Sequence, residues 1–167
     1  MPSILITTSR RPSPRTRAFC QRFKNGLDAL YINRGKMNMQ EVFLKACEEG
    51  AHVVAIVLEL KGNPSRITFY DVSGEELAYI LMNVAIPRRR EFNIDRKRVT
   101  AKVEVEELLP LTYLLFLTPH DSPMSNYWHI KKGHGKYMAI MELIDEEGKS
   151  TGLKLFILDF EVVKHGT

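Results

Sequence analysis

Between Ile4 and Leu27 the hydrophobic periodicity switches once, across a five-residue breaker, and that switch restricts the folds open to the chain. Ile4-Leu5-Ile6 has the pattern of a short buried strand, running out through Thr7-Thr8-Ser9. Arg10-Arg11-Pro12-Ser13-Pro14 ends it and starts a helix: Ser13 suits the cap and Pro14 the first helical position. Thr16, Phe19, Cys20, Phe23 and Leu27 then recur at helical spacing, forming one apolar stripe of a helix that ends near Asn25-Gly26. At 100° per residue Arg15 and Arg22 flank one side of the stripe, and Arg17 and Lys24 the other. A strand feeding directly into an amphipathic helix points to the α/β class.

The remainder continues in strand-length pieces. Residues 30–32 read as a second strand, Arg34-Gly35-Lys36 as a basic turn, and residues 39–49 as a helix stopped by Gly50. Its apolar stripe is Met39, Val42, Phe43, Ala46 and Cys47, which puts both Cys20 and Cys47 in a core. The continuous apolar run at residues 53–60 is of the buried parallel-strand type. A turn at Lys61-Gly62-Asn63-Pro64 leads into a hairpin of residues 67–72 and 77–86. Beyond Pro87 the expected elements are a strand at 99–105 and an apolar segment at 108–117 that fits helix or strand. A short helix around 124–129 and strands at 136–144 and 153–163 complete the pass. The two hairpins repeat at an offset of about 75 residues, which suggests a duplicated chain. The expected halves are residues 1–87 and 88–167.

A chain of 167 residues and 19.2 kDa is the size of one domain, and 44% apolar with 26% charged positions excludes a disordered polymer. Its apolar runs fall well short of the roughly 18 residues a membrane span needs. Two cysteines supply neither a disulfide framework nor a four-ligand zinc site, and Met1-Pro2-Ser3-Ile4 has no secretory pattern. A cytoplasmic location is the expectation.

The net charge of +4 is the difference between two unlike parts. Residues 1–36 and 88–98 hold fourteen basic side chains against three acids, and the remaining 120 positions hold ten against seventeen. Eleven of the fourteen are arginine, whose guanidinium fork pairs with phosphate oxygens two at a time. A basic surface on an acidic body suits a polyanion, and nucleic acid is the leading partner.

Chemistry has fewer candidates. The segment Thr7–Ser13 offers hydroxyls, helix N-terminal N–H groups and two arginines, a setting for phosphate that equally describes a well-capped helix. Without a Gly-x-x-x-x-Gly-Lys sequence, nucleotide hydrolysis has no support. His52, His120, His129, His134 and His165 stand in no metal-ligand spacing and read as surface or turn residues. Acid pairs such as Glu48-Glu49 and Glu146-Glu147 read as solvated charge. No catalytic set, cofactor or metal is indicated. Tyr127-Trp128-His129 beside Lys131, Lys132 and Lys136 fits a base-stacking platform, with core packing of Trp128 the favoured alternative.

Ile4-Leu5-Ile6-Thr7-Thr8-Ser9-Arg10-Arg11-Pro12-Ser13, with Arg15-Thr16-Arg17-Ala18-Phe19-Cys20, closely resembles the opening of Brix-domain proteins. Asn33-Arg34-Gly35-Lys36, Glu49-Gly50-Ala51 and Lys61-Gly62-Asn63-Pro64 extend the resemblance across residues 3–72, and it is looser beyond. The size is that of the compact archaeal form, related to the small-nucleolar-RNP subunit of the eukaryotic small-subunit processome. The resemblance implies ribosome biogenesis by non-catalytic binding of ribosomal RNA or its precursors, alongside other assembly or ribosomal proteins. It also implies two similar halves, each a mixed sheet with helices, like the anticodon-binding domain of class II aminoacyl-tRNA synthetases. The Gly-Pro-Arg-type motif usual in the last strands of eukaryotic members is replaced here by Gly152-Leu153-Lys154-Leu155. No RNA contact is therefore carried over to that end.

On this reading Arg10, Arg11, Arg15, Arg17, Arg34 and Lys36 grip phosphates that Thr8, Ser9 and Ser13 orient. Arg88, Arg89, Arg90, Arg96, Lys97 and Arg98 form a second contact on the connection between halves. The two clusters are expected to face the same way and cradle one polyanion, as in an RNA-annealing chaperone. The rival readings are a protein-interaction scaffold, an RNA-processing enzyme using His120, Asp121, His129 or His134, and a tRNA anticodon-binding-like module.

Overall fold

The computed structural model describes residues 2–88 and 92–164, so Arg89, Arg90 and His165 lie outside the described residues. Strand β1 (Ile4–Thr8) is buried throughout and enters α1 (Pro14–Asn25) across the basic breaker. Ser13 caps the helix, its Oγ accepting from the Thr16 backbone N–H, and Pro14 opens it. Then follow β2 (Ala29–Tyr31), α2 (Met39–Glu48), β3 (Val53–Leu60), β4 (Asn63–Asp71) and β5 (Glu76–Ala85). After a 3-10 turn at Arg96–Arg98 come β6 (Thr100–Val103), a second 3-10 turn, α3 (Leu109–Leu114) and β7 (Thr118–Pro119). Strands β8 (Tyr127–Lys132), β9 (Ala139–Ile144) and β10 (Ser150–Val162) close the chain.

All ten strands form one mixed sheet in the order β2-β1-β3-β4-β5-β10-β9-β8-β6-β7. Strand β1 is parallel to β2 and β3, and β3-β4-β5 is an antiparallel meander. From the other edge, β6 is parallel to β7 and β8, and β8-β9-β10 is an antiparallel meander. The same order and the same directions thus occur twice, joined where β10 pairs antiparallel with β5. Helix α2 has no counterpart: residues 120–126, between β7 and β8, are not helical.

Helix α1 lies where both runs of strands can reach it. Its fully buried Phe19, Cys20 and Phe23 share one core with Ile4, Ile6 and Val57 from the first run. The same core takes Trp128, Met141 and Leu155 from the second run. The opposite face of β1 and β3 presents Leu5, Val54 and Ile56 to Val42 and Ala46 of α2, a separate and smaller cluster. Trp128 is completely buried, its ring edge-on to Phe23 at 5.7 Å and its Nε1 donating to the Gly26 carbonyl at 2.8 Å. The sheet curls around the helix, since Ala29 and Leu30 at one edge and Leu117 beside the other line a common cleft.

Three expectations are corrected. Residues 127–132 are a strand instead of a helix at 124–129, because Trp128 and Ile130 alternate inward between outward Tyr127, His129 and Lys131. Trp128 packs in the core, the alternative favoured from the sequence, and is no stacking platform. Cys47 is exposed, one step past a buried stripe that narrows to Val42 and Ala46. His129 is half-buried on β8, not in a turn. The ambiguous segment at 108–117 is chiefly helical, and the last strand begins at Ser150 because Thr151 already points inward.

Gly26 ends α1 against the tryptophan: a Cβ there would meet Trp128 Cζ2 at 2.8 Å and Leu143 Cδ2 at 3.0 Å. Gly26→Ala is therefore expected to cost about 1–3 kcal/mol of stability. A urea unfolding midpoint equal to wild type would contradict the closeness of this packing.

Candidate nucleic-acid interface

The β1–α1 loop is held from beneath by a carboxylate. Glu59, near the end of β3, accepts from the Ser13 backbone N–H at 3.0 Å and from the Thr16 hydroxyl. The Thr16 hydroxyl first, and the Ser13 N–H next, hold the Glu59 carboxyl below the usual carboxylate range. Ser13 Oγ, besides capping, donates to the Gly62 carbonyl at 2.8 Å. Of the N–H groups expected to receive phosphate, those of Ser13 and Thr16 are already taken, by Glu59 and by Ser13 Oγ. Thr8 is also spent internally, being fully buried with its hydroxyl on the Ser9 carbonyl at 2.8 Å. Ser9 is half-buried, its N–H bonded to the Val57 carbonyl. The phosphate-orienting role expected of Thr8 and Ser13 gives way to a structural one.

Arg34 is the second departure. It is 7% exposed, donating Nε to the Met37 carbonyl and a terminal nitrogen to the Thr8 carbonyl, both at 2.8 Å. Burial chiefly, and the charge of Arg10 next, lower its pKa from the ordinary guanidinium value. It stitches the β2–α2 connection to the end of β1 and is no free phosphate grip.

Five other basic side chains of this segment face solvent. Arg10, Arg11, Arg15, Arg17 and Lys36 are exposed. Arg11 sits at φ 56, a left-handed backbone that costs a non-glycine residue about 1–2 kcal/mol. A cleft of about 420 Å³ runs between the two loops, lined by Arg11, Pro12, Arg17, Asn33 and Gly35 with Arg34 behind them. On the other flank of α1, Arg15 reaches the Val84 carbonyl at 3.1 Å, near the end of β5.

That contact locates the second cluster. Arg88 is exposed three residues beyond the end of β5, on the side of the α1 N-terminus. The connection then passes Arg22 along α1, and Arg96 donates to the carbonyls of Leu27 and Ala29 at the helix's far end. Lys97 and Arg98 are exposed beside it. The second cluster is therefore drawn out along the helix. Arg88 lies with the first cluster at the N-terminal end of α1, and Arg96, Lys97 and Arg98 at its far end, which twelve residues put about 18 Å away. Arg96 is a clasp, not a free cation.

Ion pairing separates the charges further. Among the described residues the pairs are Lys45–Glu49, Arg66–Glu76, His129–Glu104, Lys131–Glu142, Lys149–Glu147 and Lys154–Glu142. None involves Arg10, Arg11, Arg15, Arg17, Lys36, Arg88, Lys97 or Arg98. Sequence reasoning missed Glu59, whose signal was a lone carboxylate near the end of an apolar strand.

Among the described residues the side chains considered for catalysis do not come together. His120 follows β7 and His129 lies on β8, on either side of β6, and His129 pairs with Glu104 at 3.0 Å. His120 accepts from the Ser122 N–H through Nδ1, and Asp121 and His134 are exposed. Among the described residues no three His, Cys, Asp or Glu side chains group as a metal site. Burial pushes the Cys20 thiol up to about 12.

With this geometry in view, no family model matches the chain. A Methanothermobacter thermautotrophicus protein described as a probable Brix domain-containing ribosomal biogenesis protein is 39% identical over 163 residues, covering 95% of this chain and 99% of its own. The chain belongs to the Brix-domain ribosome-biogenesis proteins. A Methanopyrus kandleri protein of the same description is 46% identical over 68 residues, 35% of its length. The crystal structure of Mil, an archaeal Imp4-like protein, superposes with a TM-score of 0.85 at 37% identity, covering 96% of this chain and 99% of that one. A ribosomal biogenesis protein from Aeropyrum pernix K1, at 24% identity and a TM-score of 0.75, shares the fold. As a Brix-domain protein the chain has a role in ribosome biogenesis, and the relatives named above are archaeal. Among the described residues no helix is long and apolar enough to cross a membrane.

Because the Glu59 carboxyl is depressed by native hydrogen bonds, its contribution to stability is complete above the ordinary carboxylate pKa of about 4.3 and lost as pH falls through the lower native value. Glu59→Gln should therefore lower the melting temperature at pH 7, with the difference from wild type narrowing below about pH 4. A gap that stays constant into acid would show that Glu59 does not anchor the loop as a charge.

Proposed function

We propose that this Brix-domain protein binds ribosomal RNA or its precursor without catalysis, along a track of unpaired cations that follows α1. One observation carries the reading. Eight exposed basic side chains of the two arginine-rich segments stand with no ion pair among the described residues, while Lys45, Arg66, Lys131, Lys149 and Lys154 of the body are each paired with a glutamate. A guanidinium with no carboxylate beside it meets phosphate without first losing a partner.

The track begins at Arg10, Arg11, Arg17 and Lys36 around the cleft. It continues over Arg15 and Arg88 and ends at Lys97 and Arg98. Arg89 and Arg90 belong to the same connection by sequence. A strand lying along it would touch both clusters at once, which suits a protein that holds RNA segments extended for pairing in the cytoplasm. The repeated strand order favours two related halves, residues 1–87 and 88–167, each like an anticodon-binding domain, with α1 as the shared ridge.

Neutralising six to eight phosphates on unpaired RNA gives a slope of log K on log salt of roughly −4 to −6. Arg10→Ala with Arg11→Ala should weaken binding for every sequence and flatten that slope by about 1 to 2. An unchanged slope would remove the loop from the contact surface. Arg11→Gly relieves the left-handed strain while deleting the charge. It should leave stability within about 1 kcal/mol of wild type and still weaken RNA binding. Annealing of fluorescent complementary RNA strands should accelerate with added protein, and no acceleration at saturation would reduce the function to binding alone.

A further inference from the structure

Helix α3 and the last residues of β10 form a surface with the opposite chemistry. Strand β3 runs from Val53 there to Glu59 beneath the arginine loop, a separation of roughly 20 Å at strand rise. Leu77, Pro110, Tyr113, Leu114, Val162 and Val163 line a groove of about 350 Å³ over Val53. A second cleft of about 310 Å³ shares Tyr113 and adds Phe116 and Pro119. Tyr113 is 67% exposed, Val162 49% and Phe116 44%. These are three of the six exposed large hydrophobic residues among the described ones, gathered on adjoining clefts where a random scatter would leave them apart.

The rim is acidic. Glu106 and Glu107 occupy the 3-10 turn that leads into α3, one turn ahead of Pro110. Lys164 is the basic residue next to the groove in sequence, and from Val103 to Trp128 the chain has no lysine or arginine. The His52 ring lies against Phe116, with centroids 6.1 Å apart.

We propose that this groove docks a basic polypeptide segment that inserts apolar side chains between α3 and β10. Apolar clefts select side chains over a phosphate backbone, and the carboxylate rim repels RNA while attracting lysine and arginine. The protein would then hold RNA on one side and a cationic protein partner on the other, each recognised by separate residues.

Fluorescence anisotropy with a short labelled peptide of alternating leucine and arginine tests this, against a serine–arginine peptide of equal charge. The leucine peptide should bind about tenfold or more tightly than the serine peptide. Tyr113→Ala, Val162→Thr and the pair Glu106→Lys with Glu107→Lys should each weaken it about fivefold or more. Affinity for an RNA oligonucleotide and the melting temperature should stay at wild-type values. Equal affinity for both peptides, or indifference to all the variants, would overturn the proposal. So would self-association in sedimentation that Tyr113→Ala abolishes, which gives the face to a second copy. Loss of RNA affinity in Tyr113→Ala would give it to RNA instead.

Discussion

Everything outside the core depends on how α1 is enclosed. Its apolar stripe is covered on one side by strands from the first five and on the other by Trp128, Met141 and Leu143 from the last five. The Trp128–Gly26 hydrogen bond crosses 102 positions of sequence to fix where the helix stops. Such a bond in a dry site resists breaking, because an indole N–H left unpaired costs about 1–3 kcal/mol. The helix therefore cannot roll, and the arginines on its flanks are presented at set angles. Arg96 extends the lock by tying the connection to the carbonyls of Leu27 and Ala29.

The charge distribution follows a division of labour between paired and unpaired groups. On the sheet, Glu142 sits between Lys131 at 3.6 Å and Lys154 at 3.4 Å, so the cations there are answered locally. At the N-terminus of α1 the Glu59 carboxylate faces backbone and hydroxyl donors and fixes the loop. Arg34 is spent in the same way, its charge spread over two carbonyls. The fold uses a few polar groups to hold the loop rigid and leaves the rest of the positive surface unmatched. That arrangement costs like-charge repulsion in the free protein, and a polyanion relieves it.

Sequence periodicity was most informative where a single helix or strand meets a single core. The stripe Thr16–Phe19–Cys20–Phe23, the cap at Ser13 and the meander after residue 53 are all legible from spacing, because local geometry decides them. Residues 124–132 were not legible as a strand, since their neighbours β6 and β9 are distant in sequence and the inward step of Trp128 depends on them. The candidate site divided in the same manner. Arginine density located the basic surface, but which arginines are free depended on long-range partners: Thr8 for Arg34 and Leu27 for Arg96. No local pattern encodes such a partner. Family resemblance over residues 3–72 supplied the role in ribosome biogenesis, and the side-chain contacts supplied the roles of individual residues.

The central claim is that unpaired cations along α1 are where a polyanion rests. Its most direct test is a titration of the isotope-labelled protein with an unstructured RNA oligonucleotide, following arginine Nε–Hε and backbone amide resonances. The account predicts shifts concentrated at Arg10, Arg11, Arg15, Arg17, Arg88 and Arg98 and along the outward side of α1, with Arg34 little changed. Shifts concentrated instead on β8, β9 and β10 around Lys131 and Lys154, with α1 silent, would contradict it.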